Sequence, residues 1–302
     1  MDNTKNNSDY RGRFAPTPSG PLHFGSIIAA LGSFLQAKSN KGKWLVRIDD
    51  VDLIRSVPGT DKIILEQLER LGLYWDENVV YQSHRFDLYQ SALDKLQSSN
   101  VTFPCSCSRK TTAHKPYPGT CRNGIKPDQT ACSIRIKTDN NKTGIFDLLQ
   151  GNFTQRLESK IGDFIIKRAD NIFAYHLATV VDDAEQNISQ IVRGIDLLES
   201  TPRQVYLQKK LNFITPLYLH LPIAIDKSGK KISKSDEVDS VTLSAPEKVL
   251  YNALDFLGQK PPKLSLTNDV ESILDWAIKN WKPDNLPKEK EIIVSDNACL
   301  NR

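Results

Sequence analysis

Hydrophobic and polar positions alternate between a strand period and a helix period over the first hundred residues. Residues 12–15 and 44–48 are short segments that predict strands. Apolar residues three and four positions apart follow each of them, which predicts one helix behind Ser26 as its N-cap and a second over residues 61–73. Because strands that alternate with helices usually pair in parallel, the pattern predicts an α/β fold built on a parallel sheet.

The pattern changes between residues 101 and 162, where Pro, Gly, Lys and Cys replace the helical spacing. Short β-like runs such as residues 133–137 remain. We expect an inserted subdomain here, which divides a nucleotide-binding domain into residues 11–100 and residues 163–240. Three runs restore the strand and helix patterns after it: residues 164–168, 173–181 and 189–192.

The two ends of the chain differ from the middle. Residues 1–10 are rich in Asn and Asp and lack the apolar core of a secretory signal, so we expect a flexible tail. Residues 246–257 and 270–281 have helical spacing. They predict a short helical C-terminal extension over residues 241–302.

Composition excludes a membrane-spanning protein, because the 302 residues contain no apolar run near the ~18–20 residues that a membrane helix needs. The 40 Lys and Arg against 36 Asp and Glu give a net charge of +4, which is too small for a surface that wraps nucleic acid all round. A local basic patch remains possible. The five cysteines suit a reducing compartment better than a disulfide framework. We therefore expect a cytoplasmic monomer without membrane contact.

A first candidate site is the segment Arg-Phe-Ala-Pro-Thr-Pro-Ser-Gly-Pro-Leu-His-Phe-Gly-Ser over residues 13–26. It places His23 and Gly25 where a stiff loop meets the start of a helix. Backbone N–H groups and the positive end of the helix dipole face an anion there, Gly25 allows a nucleotide to approach closely, and His23 can donate to a phosphate oxygen. Alone, the segment is more typical of a Pro-rich loop with a surface histidine than of a phosphate site.

A second candidate is Gly-Lys-Lys-Ile-Ser-Lys-Ser over residues 229–235, which by itself is typical of a solvated basic loop. Together, the two segments resemble the HIGH and KMSKS motifs of class I aminoacyl-tRNA synthetases, in the right order. Ser26 stands where the second His of HIGH would be. The resemblance implies His23 and Lys234 as catalytic residues. It also implies a set of residues that bind ATP: His23, Gly25, Ser26, Lys231 and Lys234.

Within that class, residues 13–25 and 191–194 resemble the glutamyl branch, and the resemblance runs from about residue 12 to residue 258. The chain then ends without a large anticodon-binding region. Its short length and its Cys-rich insertion resemble the stand-alone glutamyl paralogues that esterify glutamate onto queuosine in tRNA(Asp). This implies a Rossmann-like parallel sheet with a zinc-bearing insertion and a short helical C-terminal extension.

The implied activity is ATP-dependent conversion of glutamate to glutamyl-adenylate without tRNA, followed by transfer to queuosine in the anticodon loop of tRNA(Asp). Such activation needs positioning and charge stabilisation but no protein nucleophile, and Mg²⁺ is expected with ATP. Three other functions stay open. They are a truncated glutamyl-tRNA synthetase that charges a tRNA 3′ end, a HIGH-type nucleotidyltransferase acting on a small metabolite, and a non-catalytic tRNA- or nucleotide-binding module.

Glutamate carries two carboxylates and an ammonium group, so its pocket needs two cationic partners and one anionic partner. Arg13 and Arg193 are the cationic candidates. Asp49 ends a strand and could hold the ammonium, although relatives often carry the longer Glu there, which leaves a direct or a water-mediated contact open. Tyr175 matches the substrate tyrosine of the family, and its alternative is a half-buried core residue. The full expected glutamate set is Arg13, Phe14, Ala15, Pro16, Thr17, Asp49, Tyr175 and Arg193.

Cys105, Cys107 and Cys121 lie within 17 residues of one another, a spacing that suits a tetrahedral Zn²⁺ site. The resemblance implies Tyr117 as the fourth ligand, and His114 and Cys132 are the chemical alternatives. Three thiols without a metal would be the simpler explanation. A zinc ion here is expected to be structural and remote from the chemistry.

Overall fold

The computed structural model describes residues 10–52, 54–108, 116–126, 128–130, 133–231, 245–263 and 269–294. The α-helices of these parts are α1 (Phe24–Ser39), α2 (Thr60–Arg70), α3 (Phe86–Ser98), α4 (Leu157–Lys160), α5 (Tyr175–Glu185), α6 (Thr201–Leu211), α7 (Pro246–Phe256) and α8 (Val270–Asn280). The strands are β1 (Arg11–Phe14), β2 (Lys43–Ile48), β3 (Val80–Tyr81), β4 (Thr102–Cys105), β5 (Ser133–Ile136), β6 (Lys142–Asp147), β7 (Gly151–Arg156), β8 (Phe164–Lys167), β9 (Gln190–Gly194), β10 (Leu217–Leu221), β11 (Ile223–Ile225) and β12 (Glu291–Ile293).

Parallel pairing joins the strands of the nucleotide-binding part. β2 lies between β1 and β3, and β9 pairs with β10 in the same parallel sense. The backbone N–H of Ser189 donates to the carbonyl oxygen of Arg11 over 3.0 Å, so the start of β9 lies beside the start of β1. The predicted α/β fold with a parallel sheet is confirmed.

Helix α1 covers this sheet, and its N-terminus differs from the sequence prediction. Ser26 was the predicted N-cap, which is wrong, because the helix begins at Phe24 and His23 caps it. The backbone of His23 is extended, and its ring Nδ1 accepts a hydrogen bond from the N–H of Ser26 over 3.3 Å. A ring nitrogen thus takes the place of the side-chain oxygen that usually caps a helix.

The insertion contains a three-stranded antiparallel sheet in the order β4-β5-β8. The sequence assigns residues 164–168 to the resumed nucleotide fold, but Phe164 pairs with Ile136 inside this antiparallel sheet. The hairpin of β6 and β7 is not part of this antiparallel sheet. It joins the parallel sheet, where Asp147 pairs with Tyr218 of β10. The insertion is therefore attached to the nucleotide-binding part through β6.

The C-terminal helices α7 and α8 pack on α1 in the same hydrophobic core as the parallel sheet. Trp281 is 8% exposed, and its indole N–H donates to Oε1 of Gln36 over 2.7 Å. Strand β12 follows and pairs in parallel with β11, an element that the sequence pattern did not predict. No helix among the described residues is long and apolar enough to cross a membrane.

Candidate active site

A cavity of about 280 Å³ opens where the carboxyl ends of β1 and β9 meet the N-terminus of α1. Ligands of open α/β sheets bind at this position. Most of the residues singled out from the sequence line it: Arg13, Phe14, Ala15, Pro16, Thr17, His23, Gly25, Ser26, Tyr175, Arg193 and Lys231. Segments that lie far apart in the chain are thereby brought to one surface.

The N-terminus of α1 supplies an anion-binding wall. Gly25 and Ser26 lie in the first turn, where the helix dipole is positive; the N–H of Ser26 is taken by His23, which leaves the N–H of Gly25 for an anion. The hydroxyl of Ser26 lies 3.0 Å from Nε2 of His23, so this pair holds the ring over the helix start. The wall suits the phosphates of a nucleotide.

Arg13 lies on the opposite wall and is held by a buried carboxylate. Its Nε and Nη2 atoms donate to Asp183 over 3.0 and 3.3 Å. Both side chains are almost wholly buried. Burial raises the pKa of Asp183, but the positive charges of Arg13 and Arg47 outweigh it and hold that pKa below its usual value. Arg13 is therefore a fixed positive charge at the cavity.

Asp49 lies behind the cavity and does not line it. Nε of Arg47 donates to Oδ1 of Asp49 over 2.7 Å, and the N–H of Asp49 donates to the carbonyl oxygen of Pro16, a cavity residue, over 2.9 Å. Burial raises the pKa of Asp49 to about 6, and the nearby charge of Arg47 opposes that rise. The carboxyl group thus changes charge close to neutral pH.

Arg193 is the second cation of the cavity, and its guanidinium is held on two sides. Nε donates to Nε2 of His220 over 3.1 Å. Nη2 donates to Thr201 over 2.8 Å and to Gln204 over 2.7 Å. Nη1 is buried and has no hydrogen-bond partner among the described residues. Arg193 lines the cavity, and the two N–H groups of this unpaired atom suit a carboxylate bound beside it.

Lys231 reaches the cavity from the far side, where its Nζ atom lies 2.6 Å from Oδ2 of Asp196. The sequence analysis missed Asp196, although its place just after β9, at the carboxyl end of a parallel strand, is a usable signal. Lys234 and the rest of the loop over residues 232–244 lie outside the described residues.

The three cysteines of the insertion form a separate cluster, and none of them lines the cavity. Their sulfur atoms lie within 4.8 Å of one another, and the sulfurs of Cys107 and Cys121 are 3.6 Å apart. The hydroxyl oxygen of Tyr117 is 3.4 Å from the sulfur of Cys105 and 3.8 Å from that of Cys107. His114 and Cys132 lie outside the described residues.

The donor set fits zinc. Tetrahedral bonds of ~2.3 Å place sulfurs about 3.8 Å apart, close to the separation of Cys107 and Cys121. Against the effect of burial, hydrogen bonds from the Ser106 backbone and from Tyr117 lower the pKa of the Cys121 thiol to about 6, whereas burial raises the pKa of its neighbour Cys107 to about 11. Nε of Arg135 donates to the sulfur of Cys105 over 3.2 Å, as outer partners of metal-bound thiolates do.

Gly162 explains how the phenol reaches this cluster. Its φ is +75°, and an added Cβ would lie 2.3 Å from the backbone oxygen of Tyr117. The absence of a side chain lets the backbone of Tyr117 lie against Gly162 and donate its N–H to the carbonyl oxygen of Ile161 over 2.9 Å. Gly162 therefore fixes the position from which Tyr117 points to the thiols.

Comparison with known proteins identifies the family. A family model described as tRNA synthetases class I (E and Q), catalytic domain, matches residues 9–258. The Glutamyl-Q tRNA(Asp) synthetase of Dechloromonas aromatica is 44% identical over 298 residues, which cover 95% of this chain and 99% of that protein. The Glutamyl-Q tRNA(Asp) synthetase of Photobacterium profundum is 45% identical over 288 residues, or 95% of this chain and 93% of the relative.

A solved structure agrees on the fold. The crystal structure of glutamate-tRNA synthetase from Elizabethkingia anophelis superimposes with a TM-score of 0.81 at 24% identity, covering 97% of this chain and 69% of that chain. At this identity the likeness concerns the fold.

Proposed function

The chain belongs to the class I tRNA synthetases of the glutamyl and glutaminyl (E and Q) family, and from that premise we propose that it activates glutamate with ATP and transfers it to queuosine in tRNA(Asp). One observation carries the proposal. One cavity is lined by Arg13, by Arg193, whose buried Nη1 has no hydrogen-bond partner among the described residues, and by the N-terminus of α1. Two fixed cations beside a phosphate-binding helix start suit a dicarboxylate next to a nucleotide.

Glutamate would lie with one carboxylate on Arg193 and the other toward Arg13. Asp49 does not line the cavity, so it would attract the ammonium group through a water molecule rather than by direct contact. Tyr175, which begins α5 and lines the cavity, would contact the same substrate. The cavity wall beside the bound glutamate would be formed by Phe14, Ala15, Pro16 and Thr17.

The first step forms glutamyl-adenylate. An oxygen of the α-carboxylate attacks the α-phosphorus of ATP, the bond to the β-phosphate oxygen breaks, and pyrophosphate leaves with that electron pair. The charge on the phosphates would be stabilised by the backbone N–H of Gly25, the hydroxyl of Ser26, the ring of His23 and the Lys231 ammonium, together with Lys234, which lies outside the described residues. Mg²⁺, when bound to ATP, neutralises further phosphate charge.

In the second step, a hydroxyl of the queuosine cyclopentenediol attacks the carbonyl carbon of the mixed anhydride. The bond between the carbonyl carbon and the phosphate oxygen breaks, AMP leaves with that electron pair, and the hydroxyl proton passes to the departing phosphate. An ester remains on the anticodon nucleoside. The names of the relatives support the choice of tRNA(Asp).

We propose that the protein acts in the cytoplasm as a monomer.

The cysteine cluster supports a second part of the proposal, a structural zinc ion. Cys105, Cys107, Cys121 and Tyr117 would hold it, and the metal would tie the end of β4 to residues 117–121. His114 and Cys132 are the alternative fourth ligands.

The acceptor is tested with labelled glutamate and tRNA(Asp) with and without queuosine. We expect label only on queuosine-containing tRNA, in an alkali-labile ester within the anticodon loop, and we expect transfer to survive removal of the 3′-terminal adenosine. Pyrophosphate exchange should require glutamate and ATP but no tRNA. Loss of transfer after the adenosine is removed, or efficient charging of tRNA(Glu), would instead identify an orthodox glutamyl-tRNA synthetase.

A further inference from the structure

The orientation of Arg193 depends on two residues that do not line the cavity. His220 on β10 accepts the Nε–H of Arg193, and its other ring nitrogen, Nδ1, lies 2.6 Å from Oδ2 of Asp147 at the end of β6. His220 and Asp147 are both 0% exposed. The chain of contacts therefore runs from the insertion hairpin, through the parallel sheet, to the substrate cavity.

Only one tautomer of His220 is compatible with these contacts. The Nε–H of an arginine can only donate, so Nε2 of His220 must carry a lone pair. The proton of the neutral ring then lies on Nδ1, where the carboxylate of Asp147 accepts it. Tyr218 stacks on the imidazole with ring centroids 5.9 Å apart and an angle of 3° between the planes, which fixes the plane of the ring.

Asp147 is built to remain an acceptor. Its Oδ1 accepts backbone N–H groups from Leu149 over 3.0 Å and Gln150 over 2.9 Å, and its Oδ2 accepts the backbone N–H of His220 over 3.1 Å. Burial raises the pKa of Asp147, but the donors around it outweigh this and lower the pKa below its ordinary value. The turn after β6 thus holds a carboxylate in a fixed place.

We propose that Asp147 and His220 are positioning residues that set the tautomer of His220 and thereby aim the unpaired Nη1 of Arg193 at the substrate carboxylate. Nε and Nη2 of Arg193 are both used by fixed acceptors, so the guanidinium has no rotational freedom left. An arginine fixed in advance loses less entropy when it binds a carboxylate than a free one does. The proposal rests on the proposed function, because it assigns the ligand of Nη1 as a carboxylate of glutamate.

The D147N variant is the first test, because it keeps the shape of the side chain and replaces one acceptor by a donor. Oδ1 keeps the N–H groups of the turn and also lies 3.3 Å from the backbone nitrogen of His220, so it can accept that N–H as well. The amide NH₂ then takes the place of Oδ2 and donates to Nδ1 of His220. The ring proton then moves to Nε2 and opposes the Nε–H of Arg193. We expect the KM for glutamate to rise about tenfold or more, because a buried charged donor loses its acceptor. The KM for ATP should stay near the wild-type value.

Two substitutions of His220 separate positioning from packing. In H220Q, the amide oxygen reaches the position of Nε2 and still accepts from Arg193. In H220N, the shorter amide replaces only Nδ1 and leaves Nε of Arg193 without an acceptor. We expect H220N to raise the KM for glutamate as D147N does, and H220Q to restore most of the affinity. If His220 had a purely structural role, H220N and H220Q would raise the KM for glutamate to the same extent.

A measurement without substrate keeps this inference distinct from the proposed function. In protein with ¹⁵N-labelled histidine, the resonances of His220, assigned by their loss in H220Q, should show a proton on Nδ1 in wild type and on Nε2 in D147N. Wild-type protein that shows no exchange with glutamate would refute the proposed function but leave the tautomer result intact. A wild-type proton on Nε2 would overturn the inference, even if a variant fails to fold. With active wild-type enzyme, an unchanged glutamate KM in folded D147N would overturn it as well.

Discussion

Nη1 of Arg47 donates to Oδ1 of Asp183 over 2.8 Å, and neither side chain is more than 3% exposed. The same oxygen accepts Nε of Arg13, and Nε of Arg47 donates to Asp49. One buried line of charges therefore joins the two sides of the proposed glutamate site. Its members come from β1, β2 and α5 and from the residue that follows β2.

Replacing Asp183 by Ala should lower the free energy of unfolding by roughly 3–5 kcal/mol, because two buried guanidinium groups lose their common counter-charge. Urea unfolding followed by circular dichroism measures this. The control is Lys43→Ala, which removes a 56% exposed partner of Glu77 and should cost less than about 1 kcal/mol. Equal effects of the two substitutions would contradict the importance of the buried line.

The stability lost in Asp183→Ala should also depend on pH. Burial raises the pKa of Asp183, but Arg13 and Arg47 hold it below the unfolded value. A carboxyl group of this kind stabilises the fold fully above its unfolded pKa and loses that contribution as the pH falls through the folded pKa. The stability difference between wild type and variant should therefore narrow when the pH is lowered below about 4.

Glutamate binding should weaken as the pH falls through about 6, because burial raises the pKa of Asp49 to about 6 and only the ionised carboxyl attracts an ammonium group. Calorimetric binding of glutamate between about pH 5 and 8, without ATP, avoids the titration of the nucleotide. Asp49→Asn should bind more weakly and lose most of this pH dependence. If Asp49→Asn binds glutamate with the same pH dependence as wild type, Asp49 is not part of the ammonium site.

Arg193→Ala should lower kcat/KM for glutamate in pyrophosphate exchange by about a hundredfold, since a carboxylate loses a charge-assisted partner. The kcat/KM of Arg193→Lys should fall between those of wild type and Arg193→Ala, because Lys keeps the charge but not the planar donor pair. The KM for ATP is the internal control. If Arg193→Ala exchanges pyrophosphate with the same kcat/KM for glutamate as wild type, Arg193 is not a substrate ligand.

Protein purified without chelator should contain about one zinc ion per chain, as measured by plasma mass spectrometry. Cys105→Ser and Cys121→Ser should lose the metal, and Tyr117→Phe should weaken its binding. Cys299→Ser is the matched control with a cysteine outside the cluster, and it should keep full zinc content. If Tyr117→Phe binds zinc with full affinity while His114→Ala or Cys132→Ala loses the metal, Tyr117 is not the fourth ligand. The residue whose substitution removes zinc then takes that role.

The amino-acid sequence alone was enough for the parallel α/β fold and for most of the cavity wall. Strand and helix periods depend on near neighbours, so β2 and α8 were predicted to within a residue or so of their bounds. Residues 13–26 carry their chemistry in one continuous segment, which is why His23 and Gly25 could be named before the cavity was seen.

The tertiary structure alone decided which groups hold those residues in place. Asp183 meets Arg13 across 170 positions, and Asp147 meets His220 across 73. In the sequence, Asp183 is one acidic residue of an amphipathic helix, and His220 is a polar residue among apolar ones. Likewise, β8 pairs with β5 of the insertion rather than with the parallel sheet. Local periodicity reports which face of an element is buried, but the partner of a buried charge is fixed only when distant segments pack and exclude water around it.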